Sequence, residues 1–161
     1  MITLRPVGYG NLHELLALKV ASGQEGFVAD NTYSLAEAFA LRADGLPVQP
    51  FGLYAGEEPV GFAMFGSGWI EGDPEVARDH DVLVRFMIDA RHQRKGHGKA
   101  ALAACLDYLR QRPMGNAAGV WLSYEENNEA ARRLYASAGF RENGERCGGE
   151  IVAVLAWPDD R

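Results

Sequence analysis

Residues 2–5 alternate apolar and polar until Pro6, which predicts a first strand. The period then lengthens. Leu12, Leu15, Leu16 and Val20 recur at helical spacing behind Asn11 and Glu14, a capping-box pair. Ser34 with Glu37 repeats that signal, and Leu35, Ala38, Phe39 and Arg42 carry a second helix towards Gly45 and Pro47. Residues 22–33, polar and aromatic, form the loop between these helices. Apolar runs over 51–55 and 60–65 flank Gly56-Glu57-Glu58-Pro59, the signature of a hairpin. An acidic loop follows, then a mostly apolar strand over 83–88, a basic loop over 93–98 and a helix over 100–110. Residues 120–124 read as another strand and 128–138 as a helix closed by Gly139; 140–156 fold back about Gly148-Gly149 as a final hairpin.

That order mixes hairpins with strand–helix–strand crossovers. It implies an α/β protein with a mixed, mostly antiparallel central sheet of about six to seven strands, covered by helices on both faces. A single domain over residues 1–161 accommodates it, since a chain of this length buries enough apolar surface to fold without metal or disulfide.

Charge narrows the partners. The formal net charge of −6 argues against nucleic acid, whose phosphates need clustered Lys and Arg, and suits a cationic small molecule. Cys105 and Cys147 lack C-x-x-C spacing, and Cys105 falls in an apolar helical stretch where a buried thiol is expected. The first residues lack a basic segment followed by an apolar run, and no stretch approaches membrane-spanning length. The expectation is a cytoplasmic protein with no membrane partner and no metal.

The most informative segment is Gln93-Arg94-Lys95-Gly96-His97-Gly98-Lys99, placed after a buried strand and before a helix. A helix N-terminus presents unpaired N–H groups and partial positive charge, and glycines let the main chain curl around one anion. Arg94, Lys95 and Lys99 add full charges, so the loop suits a pyrophosphate. A Walker loop is excluded because Ala100, not Ser or Thr, follows Gly98-Lys99. The relaxed dinucleotide pattern G-x-G-x-x-A is matched over 96–101, but that fold needs a tight strand-to-helix turn near its start, and six residues separate Asp89 from Gly96.

The same loop matches Gln-x-x-Gly-x-Gly, and Asn128, Ala131, Leu134, Tyr135, Gly139 and Phe140 reproduce Asn-x-x-Ala-x-x-Leu-Tyr-x-x-x-Gly-Phe downstream. With these two spaced motifs the chain resembles the GNAT superfamily of acetyl-CoA-dependent N-acetyltransferases. Residues 22–38 look like bacterial spermine/spermidine acetyltransferases. The resemblance implies a sheet splayed at its middle strands, acetyl-CoA as co-substrate, a small-molecule amine as acceptor and a possible homodimer. It implies that the backbone of Phe86, Met87 and Ile88 holds the pantetheine arm, that Gln93, Arg94, Lys95, Gly96, His97, Gly98 and Lys99 hold the pyrophosphate, and that Asn128 holds the cofactor or caps its helix. Tyr135 matches the family's general acid; an ordinary phenol titrates near 10 and stays protonated at neutral pH. Where some polyamine acetyltransferases carry an acidic residue, this strand reads Val84-Arg85, so Glu125 and Asp81 are the candidate bases.

For the acceptor, Glu25, Asp30, Glu71 and Asp73 are candidate cation anchors, and Phe27, Tyr33 and Trp69 candidate walls for an aliphatic stem. Five acids lie between Glu71 and Asp81 against the single cation Arg78. Two other functions fit the same motifs: a catalytically silent CoA-binding module, and acetylation of protein N-termini or lysines.

Overall fold

The computed structural model describes residues 1–158. Seven strands form one sheet: β1 (Ile2–Pro6), β2 (Val48–Ala55), β3 (Glu58–Gly66), β4 (Asp81–Ile88), β5 (Gly119–Tyr124), β6 (Arg141–Cys147) and β7 (Glu150–Ala156), in the spatial order β1-β2-β3-β4-β5-β7-β6. Every pairing is antiparallel except β4 with β5. That parallel pair is brief, with Asp81 opposite Val120 and Val82 opposite Trp121, after which the strands part.

Helices cover both faces. Helices α3 (His97–Arg110) and α4 (Glu129–Ser137) lie on one face, where Leu102, Cys105, Leu106, Leu109 and Tyr135 pack with Leu53, Phe65, Leu83, Leu122 and Tyr124. Helices α1 (Tyr9–Leu16) and α2 (Asn31–Ala43) lie on the other, where Leu15 and Ala38 pack with Tyr54, Phe62, Met64 and Met87. A smaller cluster joins Ala77 of the acidic loop to Trp121 and Val152 on that second face. No helix among the described residues is long and apolar enough to cross a membrane.

Helix starts differ from the capping signals. Gly8, not Asn11, precedes α1; Asn11 sits within the first turn, where its side-chain oxygen accepts the Gly8 N–H at 2.8 Å. For α2 the cap is Asp30, whose Oδ1 accepts the Tyr33 N–H at 2.7 Å, and Ser34 instead returns its hydroxyl to Asp30 O within the helix. The first helix stops at Leu16 rather than reaching Val20. Beyond it, the Lys19 N–H donates to Asp89 Oδ1 (2.9 Å) and Lys19 O accepts the Ala90 N–H (2.8 Å), so the chain leaves helical geometry to bind the end of β4.

Candidate active site

The parting of β4 from β5 opens a cavity of about 620 Å³. Its lining draws on both layers. Phe86, Ile88, Leu122, Tyr124, Leu134 and Tyr135 come from the face under α3 and α4; Val20, Val28, Val84 and Met87 belong to the α1–α2 face.

Strand alternation decides which backbone groups face the gap. The Asp89 N–H bonds Val60 O on β3 at 2.8 Å, and Met87 O abuts Gly61 of β3 so closely that a Cβ there would stand 2.3 Å from it. Met87 and Asp89 therefore turn their polar groups towards β3, and Phe86 and Ile88 turn theirs towards the open edge. Among the described residues no strand pairs with that edge beyond Val82, so these groups, apart from Ile88 O, which accepts a bond from Gln93, are open to an extended, amide-bearing chain.

The mouth of the cavity is held by side chains. Gln93 Nε2 donates to Ile88 O (3.0 Å) and to Gln24 Oε1 (2.8 Å), tying the basic loop to both β4 and the α1–α2 loop. Buried Asp89 accepts the backbone N–H of Lys19 and of Arg91 and the Arg91 Nε. Burial pushes its carboxyl upward, but those hydrogen bonds prevail and hold it below the usual range. Arg94 and Gly96 take positive φ, 62° and 80°, curling the loop into the first turn of α3. No side chain among the described residues caps that helix, so its leading N–H groups stay available. A Cβ at Gly98 would meet nothing nearer than Ile88 and Leu134 at 4.0 Å. The packing of the protein itself therefore does not require glycine there, and its absence of a side chain leaves the backbone open to close approach from the cavity. Gln93, Arg94 and Gly98 line the cavity, with Lys95, Gly96, His97 and Lys99 on the same loop and helix start just outside its wall.

Tyr135 projects from α4 into the same space. Its ring stacks on Tyr124 at 5.9 Å and meets Phe86 and Phe140 edge-on at 6.4 and 5.8 Å. Burial, reinforced by nearby Cys105 and Tyr124, pushes its phenol well above the ordinary value, so it remains protonated. Tyr124 donates to Glu142 Oε1 at 2.8 Å, and Asn128 lines the cavity while its Oδ1 caps α4 through the Ala131 N–H.

The candidate bases lie elsewhere. Glu125 is exposed beyond the end of β5, off the cavity wall. Asp81 is fully buried where β4 and β5 still pair; burial raises its carboxyl above the usual range, opposed by the Ser67 hydroxyl and His80. Of the acceptor candidates, Glu25 and Phe27 line the cavity, while Asp30, Tyr33, Trp69, Glu71 and Asp73 do not. Asp30 is occupied as a helix cap and Tyr33 is exposed. Trp69 Nε1 donates to Asp73 O at 3.2 Å beneath the Arg78 guanidinium, and the Asp73 carboxylate accepts the Ile70 N–H. The acidic loop is folded upon itself and pinned to β6 by the Glu75 N–H bond to Glu145 Oε1 (2.7 Å).

Sequence reasoning passed over Ser123 and Glu150, which line the cavity and bond to each other at 3.1 Å. A polar residue in the otherwise apolar run Trp121-Leu122-Ser123-Tyr124 was the available signal. Arg85, also on the wall, pairs with Glu37 of α2 at 3.2 Å.

Known proteins share this sequence pattern and this fold. The chain is 34% identical to a spermine/spermidine N(1)-acetyltransferase of Bacillus subtilis (strain 168) over 144 residues, 89% of this chain and 90% of that one. Its fold superposes on aminoglycoside acetyltransferase AAC(6')-Ib in complex with coenzyme A with a TM-score of 0.79 at 20% identity, covering 97% of this chain and 95% of that one. A spermidine N-acetyltransferase from Vibrio cholerae in complex with CoA and spermine gives 0.67 at 20% identity, covering 95% and 92%. Residues 7–140 match the Acetyltransferase (GNAT) family, and the chain belongs to that family.

Proposed function

We propose that this N-acetyltransferase transfers the acetyl group of acetyl-CoA directly to a primary amine of a polyamine such as spermidine or spermine. The observation that carries the proposal is the single cavity in which the unpaired edge of β4, the start of α3 and the Tyr135 phenol converge. The named activity of the Bacillus relative, the spermine in the Vibrio complex and the net charge of −6 support a cationic acceptor.

In this account the leading N–H groups of α3, with Arg94, Lys95 and Lys99, bind the pyrophosphate. Phe86 and Ile88 hold the amide-bearing arm as an added strand would be held. The Ile88 N–H faces the thioester oxygen as negative charge develops there. Tyr135, kept protonated by burial, gives its proton to the departing sulfur. Glu25 and Phe27, on the α1–α2 loop, receive the amine chain.

An amine panel tests the proposal: spermidine, spermine, putrescine, lysine, an aminoglycoside and an N-terminal peptide, each with acetyl-CoA and a thiol-release readout. Highest kcat/KM for the polyamines is expected. Preference for the peptide, or thiol release with none of them, overturns it.

A further inference from the structure

Direct transfer to an amine requires a group that takes a proton from the entering ammonium, and neither carboxylate singled out from the sequence stands on the cavity wall. Among the described residues two carboxylates do: Glu25 and Glu150. Glu25 is exposed on its loop, its Oε2 engaged by the Gly23 N–H at 2.7 Å. Glu150 is half-buried at the start of β7, the strand inserted between β5 and β6. Ser123 Oγ donates to one of its oxygens, Oε1, leaving Oε2 without that restraint.

Position adds to this. Leu122 and Tyr124 of β5 point to the α3–α4 face, where Tyr124 stacks on Tyr135, and alternation turns Ser123 to the opposite face with Trp121. Consecutive residues of β5 thus bring a phenol to one side of the gap and a carboxylate to the other. The charged and titratable groups near Glu150 include Cys147 opposite it across the hairpin, Arg146, which donates to Gly149 O and faces Glu126 at 3.6 Å, and Glu125, the residue after the Tyr124–Ile151 pair of the β5–β7 ladder.

We infer that Glu150, oriented by Ser123, is the proton acceptor for the amine, a role that rests on the acetyltransfer reading above. The entering RNH3⁺ gives one proton to the Glu150 carboxylate, and the free amine attacks the thioester carbon. As the new C–N bond forms and the C–S bond breaks, Tyr135 protonates the sulfur to give CoA thiol. The second proton on nitrogen restores Tyr135, and Glu150 releases the first to solvent, so the amide, one thiol and one net proton result.

The test is steady-state kinetics of wild type, E150Q, E150D and Ser123→Ala with the best amine of the panel across pH, with acetyl-CoA affinity measured by calorimetry. A lost base lowers kcat by about a hundredfold or more. The expected E150Q result is a loss of that size at neutral pH, shrinking as pH rises towards the amine pKa near 10 and free amine becomes abundant, with acetyl-CoA affinity unchanged. E150D should recover part of the rate. An active wild type with E150Q kcat within about twofold, or with only KM raised at every pH, overturns the assignment and leaves acetyl transfer standing. A wild type inert to every amine while binding acetyl-CoA overturns both. Should E150Q fail to fold, Ser123→Ala decides: a kcat loss of several-fold that shrinks at high pH supports the assignment, and unchanged kinetics overturn it.

Discussion

The two halves of the cavity are built by different means. The β4–loop–α3 half presents mainly backbone, aimed by regular elements: strand alternation sets Phe86 and Ile88, and a helix start sets the N–H groups around Gly98. The half formed by the α1–α2 loop, Ser123 and Glu150 presents side chains from segments far apart in the chain. Backbone sites tolerate sequence change except where a Cβ intrudes, whereas side-chain sites change with every substitution. The proposed function accordingly assigns binding of the co-substrate to the first half and choice of acceptor to the second.

The largest effect expected from breaking this division is at Gly98. Gly98→Asp should abolish acetyl-CoA binding in calorimetry with a folded protein, because the surroundings leave room for the new side chain while its charge enters the phosphate site. Unchanged affinity contradicts the pyrophosphate assignment.

Tyr135→Phe comes next. It should reduce kcat by about a hundredfold while acetyl-CoA affinity stays within about twofold, since only the departing thiolate uses the hydroxyl. A rise in acetyl-CoA Kd with unchanged kcat would make Tyr135 a wall rather than an acid.

Within the acceptor half, Glu25→Gln should lower spermidine kcat/KM up to about fivefold, the scale of an exposed ion pair worth at most about 1 kcal/mol. The doubly neutralised Glu71→Gln/Asp73→Asn protein should change it by less than about twofold, because both residues lie off the cavity wall. The Glu25 effect should fade as salt rises. The reverse ranking would return acceptor recognition to the acidic loop.

The smallest effect concerns the tie between the halves. Asp89 has a lowered pKa, so its contribution to stability is fully present above the unfolded carboxyl value near pH 4 and is lost as pH falls through the folded value. Asp89→Asn should lower Tm by a few degrees at pH 7, at roughly 2–4 °C per kcal/mol for a chain of this size. The gap between the two proteins should close towards pH 3; a constant gap across that range contradicts the linkage.

The division also explains what was legible in the sequence. The loop from Gln93 to Lys99 and the run from Asn128 to Phe140 are contiguous, so their motifs could be read directly and carried the family resemblance from which the first half was expected. Helix starts were misplaced because Asn11 and Ser34 are plausible caps by spacing, yet Gly8 and Asp30 take those positions and the two side chains bond back within the first turn. Gln93 was recognised, but not its bridge to Gln24, 69 residues away. Ser123 and Glu150 meet only because β7 inserts between β5 and β6, a choice that hairpin signals do not make. Glu25 and Asp73 were equivalent as acids in loops, and each accepts a local backbone N–H; only the fold puts Glu25 on the cavity wall and Asp73 off it.

The most direct test of the backbone-built half is residue-resolved amide hydrogen exchange with and without CoA. Exchange at Phe86, Ile88 and Gly98 should slow by about fivefold or more on binding, each amide gaining a bond worth about 1 kcal/mol or more. Met87 and Asp89, whose amides already face β3, should change little and serve as internal controls. Unaltered exchange at Phe86 and Ile88 in a protein saturated with CoA would contradict the account.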